Sequence, residues 1–462
     1  MTLDAYLASL QGKKIAVLGI GVSNTPLIRL LCRAGLDVTA RDKAPREKFE
    51  AGRLEELEGL GAGLVLGGDY LEGLTEYDVI FRTPGLRPDL PQIAAAVAAG
   101  AELTSEMEAF FRVCPATLVA VTGSDGKTTT TTITAGLLEA AGKKVWVGGN
   151  IGTPLLDRAG EMGPEDFAVL ELSSFQLLTM RQSPHIAVVT NLAPNHLDVH
   201  KSMEEYVDAK RNILRWQRPA DRAVLNWDNA VTRGFAGDTP AAVRWFSFRE
   251  APEGDGVFYQ DGAVWRRDGG EERLLLRRED ILLPGDHNVA NYMAAIAAVG
   301  DYVPAETVRS YAKTFGGVEH RIELTRTLDG VRWYNDSIGT SPSRTQAGLR
   351  SFPEKVILIA GGYDKHIPYD PLGPDLVKHV KQMYLTGDTA PKLRAAAENA
   401  PGYFPGNPEI VDCADLRSAV LAARAAAKPG DVVLMSPASA SFDRYKNFME
   451  RGKAFKALVR EL

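Results

Sequence analysis

Short apolar runs recur along the chain, each closed by a loop rich in Gly, Ser, Asn or Asp. Such runs predict buried strands, and the longer stretches between them, with apolar positions at helical spacing, predict helices. Strands are expected at residues 14–18, 36–40 and 77–82, with a helix through Leu31 after the first. Further strands fall at 118–121, 145–147, 167–172, 186–190 and 221–227, and helices at 127–141 and 203–213. Residues 257–283 are β-rich around an Asp261-Gly262 hairpin turn, and an Ala-rich helix runs to Val299. Past the Gly316-Gly317 hinge, strands are expected at 331–335, 355–360, 382–385, 409–411 and 431–435. Helices begin there near Pro342, Ala390, Ala414 and Arg444. Strand and helix in alternation make an α/β fold. The pattern divides into three domains, 1–103, 104–318 and 319–462. The outer two are Rossmann-like, and the middle one carries a phosphate loop on a mainly parallel sheet.

The sharpest change of pattern lies at 118–134. The strand stops at Gly123-Ser124-Asp125-Gly126, a tight-turn sequence, and from Lys127 the pattern is helical until Gly142 stops it. Strand, glycine loop, Gly-Lys-Thr and helix form a phosphate cradle. Backbone N–H groups and the helix N-terminus face the anion, Lys127 adds charge, and Thr128 offers a hydroxyl to Mg²⁺. Val121 stands where the common pattern has Gly. An ordinary strand-to-helix turn would not require Gly-Lys-Thr at that point, so a nucleoside triphosphate ligand is expected.

Other loops at strand ends carry candidate chemistry, since ligands of open α/β sheets gather there. Gly19-Ile20-Gly21-Val22-Ser23-Asn24 opens the first domain with Asn24 in the third glycine position, and either a nucleotide loop or a plain βα turn fits it. Asp42 and Lys43 end the next strand, where a ribose partner would sit, and Thr83-Pro84-Gly85-Leu86 follow the strand at 77–82. In the middle domain Asn150 lies in a glycine-rich loop. Glu171 ends a wholly apolar strand, as a metal-holding acidic residue would, and an unpaired buried Glu is costly. The strand at 186–190 delivers Asn191, Asn195, His196 and Asp198. Lys210 reads by itself as a solvated helix lysine. Asn288 and Asn291, three apart, share a helix face and could read a base edge, although N-capping alone accounts for Asn288. Arg321 sits at the last domain boundary. Polar loops 335–337, 361–365 and 436–441 follow strands of the third domain, and Lys365 suits a carboxylate ligand.

Composition narrows the setting. The 462 residues, 45% hydrophobic and 24% charged, describe an ordinary globular protein large enough for several cores. A net charge of −6 gives no footprint for nucleic acid or anionic membrane. Cys32, Cys114 and Cys413 are widely spaced, which fits a reducing compartment and excludes a zinc ribbon. Without a leader-like N-terminal segment or an apolar run of membrane-spanning length, a cytoplasmic protein is expected.

Taken in order, Gly123-Ser-Asp-Gly-Lys-Thr-Thr129, Glu171-Leu-Ser-Ser-Phe-Gln-Leu177, Thr190-Asn-Leu-Ala-Pro-Asn-His196, His287-Asn-Val-Ala-Asn291 and Asn335-Asp-Ser337 resemble the successive motifs of the Mur ligases. The stretch from Ser436 to Gly452 resembles most the branch that adds D-glutamate. The resemblance covers essentially the whole chain. It implies a monomeric ATP-dependent ligase whose small-molecule substrates are UDP-N-acetylmuramoyl-L-alanine, D-glutamate and ATP. It assigns the nucleotide phosphates to Gly123, Ser124, Asp125, Gly126, Lys127, Thr128 and Thr129, and one Mg²⁺ to Thr128 and Glu171. A second Mg²⁺ falls to His196 and a carbamylated Lys210. Asn288 and Asn291 would face adenine, Arg321 the phosphates and Asp336 the ribose. Thr340, Lys365, Ser441 and Phe448 match D-glutamate contacts, and Asn150 matches one near the UDP-substrate. Ser23, Asp42, Lys43, Thr83, Pro84, Gly85 and Leu86 fall on the uridine side. Ile338 stands where many members have Lys, and Asn195 where they have Asp.

The implied chemistry activates a carboxylate as an acyl phosphate, which the amine of D-glutamate then attacks. Lys127, His196 and Lys210 are the residues expected nearest that chemistry. Other Mur ligases and folylpolyglutamate synthase share the mechanism, but the latter lacks a βαβ unit ahead of the phosphate loop. A non-catalytic nucleotide switch would use ATP only to close domains. A dehydrogenase reading of 19–24 predicts nicotinamide binding and none of the downstream motifs.

Overall fold

The computed structural model describes residues 1–193 and 200–462. Asn195, His196 and Asp198 lie outside the described residues. The chain forms two compact units, residues 1–278 with 290–311, and residues 279–289 with 312–462. Helix Asp286–Val299 gives residues to both.

The first unit holds a five-stranded and a nine-stranded sheet. Strands β1 (Lys14–Leu18), β2 (Asp37–Asp42), β3 (Gly63–Leu66), β4 (Val79–Arg82) and β5 (Glu102–Thr104) form the smaller, in order β3-β2-β1-β4-β5 and all parallel. Both faces of β1 are buried, as a parallel strand between helices requires. Ile15 and Val17 pack with Leu27 and Leu31, while Ala16 and Leu18 pack with Ile93 and Ala96. The chain order reverses at β1 and β4, so the Gly19 loop and the Thr83 turn share one edge crevice.

The larger sheet contains β6 (Thr117–Thr122), β7 (Val145–Gly149), β8 (Phe167–Glu171), β9 (Ile186–Val189), β10 (Arg222–Asn226), β11 (Ala242–Ser247), β12 (Gly256–Gln260), β13 (Ala263–Asp268) and β14 (Glu271–Arg277). Its order is β14-β13-β12-β11-β10-β9-β6-β8-β7, parallel except at the two pairs joining β12, β13 and β14. The β12–β13 hairpin turns at Asp261 and Gly262, φ 51° and 74°, the two-residue turn that strand twist favours. β6 lies between β8 and β9, which sets the phosphate loop at the centre of the carboxyl edge.

The second unit carries β15 (Glu323–Leu328), β16 (Val331–Asn335), β17 (Val356–Gly361), β18 (Val380–Thr386), β19 (Glu409–Asp412) and β20 (Val432–Met435). Their order is β15-β16-β20-β17-β18-β19, with only β15 antiparallel. β20 lies between β16 and β17, so the loops after these three strands converge.

Mixed α/β architecture with largely parallel sheets is therefore as the sequence pattern predicts. Two helix starts are later than expected. The helix placed near Arg444 runs Phe448–Glu461, because Asn447 accepts the Glu450 N–H and sets the cap. That placed near Ala414 runs Leu416–Ala426, capped by Asp415 and Ser418. Among the described residues no helix is long and apolar enough to cross a membrane.

Candidate active site

The phosphate loop is built from close backbone contacts. Gly123 has φ 148°, and a Cβ there would lie 1.9 Å from Thr190 Oγ1 and 3.1 Å from the Asn191 backbone. Only glycine fits. The Ser124 N–H donates to Asn191 O, the Asp125 N–H to Asn191 Oδ1, and the Thr190 hydroxyl to Asp125 O. The polar residues after β9 thus set the loop's shape. Gly126, at φ 77°, precedes helix Lys127–Ala140, and a Cβ there would lie 2.4 Å from Asn291 Oδ1. Asn291 also accepts the Thr130 hydroxyl at 3.2 Å, which fixes it beside the amino end of that helix. Lys127 Nζ donates to Gly123 O at 3.0 Å and Ser124 O at 2.9 Å.

Two residues from separate elements meet at Glu171. The Thr128 hydroxyl donates to one carboxylate oxygen at 2.7 Å, and Asn150 Nδ2 to the other at 2.7 Å. Glu171 is buried, so its charge stands in low dielectric, backed by neutral donors. A hydroxyl and a carboxylate at a phosphate loop are hard oxygen donors of the kind Mg²⁺ takes.

Lys210 is not a solvated lysine. It is 2% exposed, and Nζ donates to Gly123 O at 2.9 Å and Thr122 Oγ1 at 3.2 Å. The amino group lies 5.0 Å from the Tyr206 ring centroid, and Tyr206 OH pairs with Ser124 Oγ at 2.8 Å. Burial, and then the Lys127 charge, push the Lys210 ammonium well below the usual lysine range. Helical periodicity could not reveal this, because the partner is a backbone carbonyl far away in sequence.

In the smaller sheet the Asp42 carboxylate accepts the Ile20 N–H at 2.7 Å and the Ala44 N–H at 2.8 Å. Asn24, standing where a third glycine would, donates Nδ2 to Leu18 O and Gly19 O and closes the loop from inside. Thr83 packs on Gly19. Lys43 and Gly85 are exposed, and Ser23 and Pro84 half-buried. The turn after β4 hangs on Arg82, which is 1% exposed. Its Nη1 donates to the carbonyls of Thr83, Pro84 and Leu86, and Nη2 to Phe175 O and Thr179 Oγ1. Burial pushes its guanidinium down to about 10. Arg82 carries the same sequence signal as Glu171, a charge ending an apolar strand.

In the second unit Asp336 follows β16, accepts the Ser436 hydroxyl at 2.7 Å, and is raised to about 6 by burial. Lys365 is exposed, with Nζ 3.4 Å from Thr340 O. Ser441 is buried, and its carbonyl accepts the N–H of Tyr445. The Phe448 carbonyl accepts the Ser337 hydroxyl at 2.7 Å. Asn288 Nδ2 donates to Pro284 O at 2.7 Å. Arg321 follows His320, which holds φ 65°, and its charge acts on Asp336. A residue not singled out by sequence reasoning ties these loops together. Arg451, 5% exposed, donates Nε to Ser337 Oγ, Nη1 to Ala440 O, and Nη2 to Ser337 O and Ser439 O.

Residues 121–299 match the model of the Mur ligase middle domain, and residues 320–439 that of the Mur ligase, glutamate ligase domain. A UDP-N-acetylmuramoylalanine–D-glutamate ligase of Acetivibrio thermocellus is 52% identical over 100% of this chain and 99% of its own length. One from Symbiobacterium thermophilum is 50% identical, covering 97% and 98%. Among solved structures, a UDP-N-acetylmuramate–alanine ligase from Thermotoga maritima superposes with TM-score 0.57 at 18% identity, covering 97% of this chain and 99% of that one. A pseudomurein peptide ligase type C from Methanothermus fervidus gives TM-score 0.53 at 18% identity, covering 97% and 100%. These two likenesses concern the fold.

Proposed function

The chain belongs to the Mur ligase family, and on that premise we propose that it is an ATP-dependent amide ligase joining D-glutamate to UDP-N-acetylmuramoyl-L-alanine in peptidoglycan precursor synthesis. The observation that carries the reading is the Thr128–Glu171–Asn150 contact at the mouth of the phosphate loop, in a chain alike over its full length to D-glutamate-adding relatives.

A carboxylate is a poor acyl donor, so phosphorylation of the substrate carboxylate precedes attack by the amine. The task for the protein is positioning and charge neutralisation. The amino end of helix Lys127–Ala140 holds phosphate oxygens, in a loop whose Ser124 and Asp125 N–H groups are held by Asn191. Lys127 exchanges its bonds to Gly123 O and Ser124 O for the transferring group, where its charge counts most. Thr128 and Glu171 fit Mg²⁺, which when bound supplies charge neutralisation at the phosphates. Asn150, Glu171's other donor, orients the carboxylate toward that role.

Lys210 serves as a carbamate. Burial, and then the Lys127 charge, lower the pKa of its ammonium and so favour the neutral amine, the form that attacks CO₂; the nitrogen bonds to carbon, the released π pair goes to oxygen, and the ammonium-like proton leaves to solvent. The product is an anionic oxygen donor suited to a second Mg²⁺, which His196 would share. On the substrate side, Ser23, Asp42, Lys43 and 83–86 serve the uridine end, Asn288 and Asn291 the adenine, Arg321 and Asp336 the phosphates and ribose, and Thr340, Lys365, Ser441 and Phe448 D-glutamate. Domains 1–103, 104–318 and 319–462, a monomeric state and a cytoplasmic location complete the reading.

The test is phosphate release from ATP with each acceptor and amino acid in turn. Release with an amide product is expected only for UDP-N-acetylmuramoyl-L-alanine with D-glutamate. Turnover with a folate and L-glutamate would instead mark a folylpolyglutamate synthase. For Lys210, Lys210→Ala should lose activity and regain part of it with a small carboxylic acid. A ¹³C-labelled CO₂ adduct should appear on the wild-type protein and not on the variant.

A further inference from the structure

A ring of contacts in the first unit joins the turn after β4 to the phosphate loop. Arg87, at the end of that turn, pairs in two-pronged fashion with Glu205, Nη2 to Oε1 at 2.7 Å and Nη1 to Oε2 at 3.0 Å. Glu205 lies in the first turn of helix Met203–Arg215, where its N–H donates to the Ser202 hydroxyl and its carboxylate accepts the Lys201 N–H. One residue on, Tyr206 pairs with Ser124, and a turn further Lys210 donates to Gly123 O. The helix therefore touches the substrate-side turn at one point and the phosphate loop at two. Being a rigid rod, it cannot move one without the other.

The ring closes through His200. Its Nδ1 lies 3.4 Å from Glu205 Oε2, its Nε2 pairs with Ser174 Oγ at 2.9 Å, and its ring stacks on Phe175 at 5.1 Å between centroids and 5° between planes. Phe175 O and Thr179 Oγ1 accept from Arg82, whose other nitrogen holds the carbonyls of the turn. Arg87 and Glu205 are 21% and 24% exposed, well below an ordinary surface pair. A bidentate geometry at that burial is the exception to the rule that surface pairs contribute little.

We propose that Glu205 is a positioning residue: through Arg87 it transmits occupancy of the turn at 83–86 to the phosphate loop, so that the nucleotide and the UDP-substrate bind with mutual reinforcement. This rests on the reading that the turn faces the UDP-substrate. A merely structural ion pair would change stability and leave the two ligands independent.

The experiment is calorimetry on the full chain with a non-hydrolysable ATP analogue, with and without UDP-N-acetylmuramoyl-L-alanine. In wild type the UDP-substrate should tighten the analogue at least ~5-fold, the lower range for coupled sites. In Glu205→Gln and in Arg87→Gln the factor should fall below about twofold while each ligand alone keeps its affinity, and the double variant should be no worse than either single one. Arg87→Lys, which keeps the charge but not the fork, replaces Arg87→Gln if the latter does not fold and should also lose most of the coupling. Unchanged coupling in a folded variant, additive losses in the double variant, or independent binding in wild type would each overturn the proposal. Wild-type turnover with coupling intact in Glu205→Gln refutes this inference alone. Failure of wild type to bind the UDP-substrate refutes the functional reading and this inference with it.

Discussion

Replacing Arg451 by Met keeps most of the side-chain volume and removes every donor. Of the four acceptors it serves, Ala440 O keeps the Tyr363 N–H, and the Ser337 hydroxyl still donates to Phe448 O. Ser337 O and Ser439 O share Nη2 and have no other donor among the described contacts. Each buried carbonyl left unpaired costs about 1–3 kcal/mol. Removing a desolvated cation, one whose burial holds it down to about 10, returns part of that. We expect a net loss of about 2–4 kcal/mol, with Arg451→Lys recovering about half, since an ammonium reaches fewer of these oxygens than the planar fork. The loss should be local. Amide exchange in β16 and β20 should accelerate, while that in β6 and β8 stays as in wild type. Because the two loops that Arg451 ties carry Asp336 and Ser441, the D-glutamate KM should rise in parallel. Unchanged exchange in Arg451→Met, or a loss that Arg451→Lys fails to restore in part, would refute the reasoning.

Lys127→Ala should abolish product formation with the unfolding midpoint unchanged, because the charge serves the transferring phosphoryl group; near-normal turnover in the folded variant would remove the phosphate-loop assignment. Lys365→Ala should raise the D-glutamate KM far more than the ATP KM, and equal effects would place Lys365 on the nucleotide instead. Glu106 is raised from 4.5 to about 7 by burial, so the folded protein holds an extra proton in that window and stability falls as pH rises through it. That gap corresponds to about 3 kcal/mol, and Glu106→Gln should flatten this share of the slope in urea midpoints between pH 5 and 8. An unaltered slope would show that Glu106 ionises freely.

The central strands and the phosphate loop were legible because each is a local pattern: an apolar run, then glycines, then a helix. Glu171 was legible too, since a carboxylate in an apolar strand has to be paired. The short strands β3 and β5 were not, because their runs barely exceed a turn. The true starts of the helices at Leu416 and Phe448 turn on single capping residues, which a periodicity does not register. Lys210, Arg82 and Arg451 have partners tens of residues away, mostly backbone carbonyls, and a carbonyl carries no sequence identity. Asp42 is a related case. Its position at a strand end marks it as a ligand candidate, whereas its two N–H partners are visible only in three dimensions.

The first unit is discontinuous: residues 290–311 return to it after the excursion at 279–289. Those returning residues include the buried Tyr292, Met293 and Ile296, and also Asn291, which sits against Gly126. On the ribosome, then, a nascent chain ending at Arg278 already contains every strand of both sheets yet lacks the helix beside the phosphate loop. At elongation rates of about 5–20 residues per second, the remaining segment follows within a few seconds, a window in which apolar surface awaits its cover and a chaperone has its opportunity.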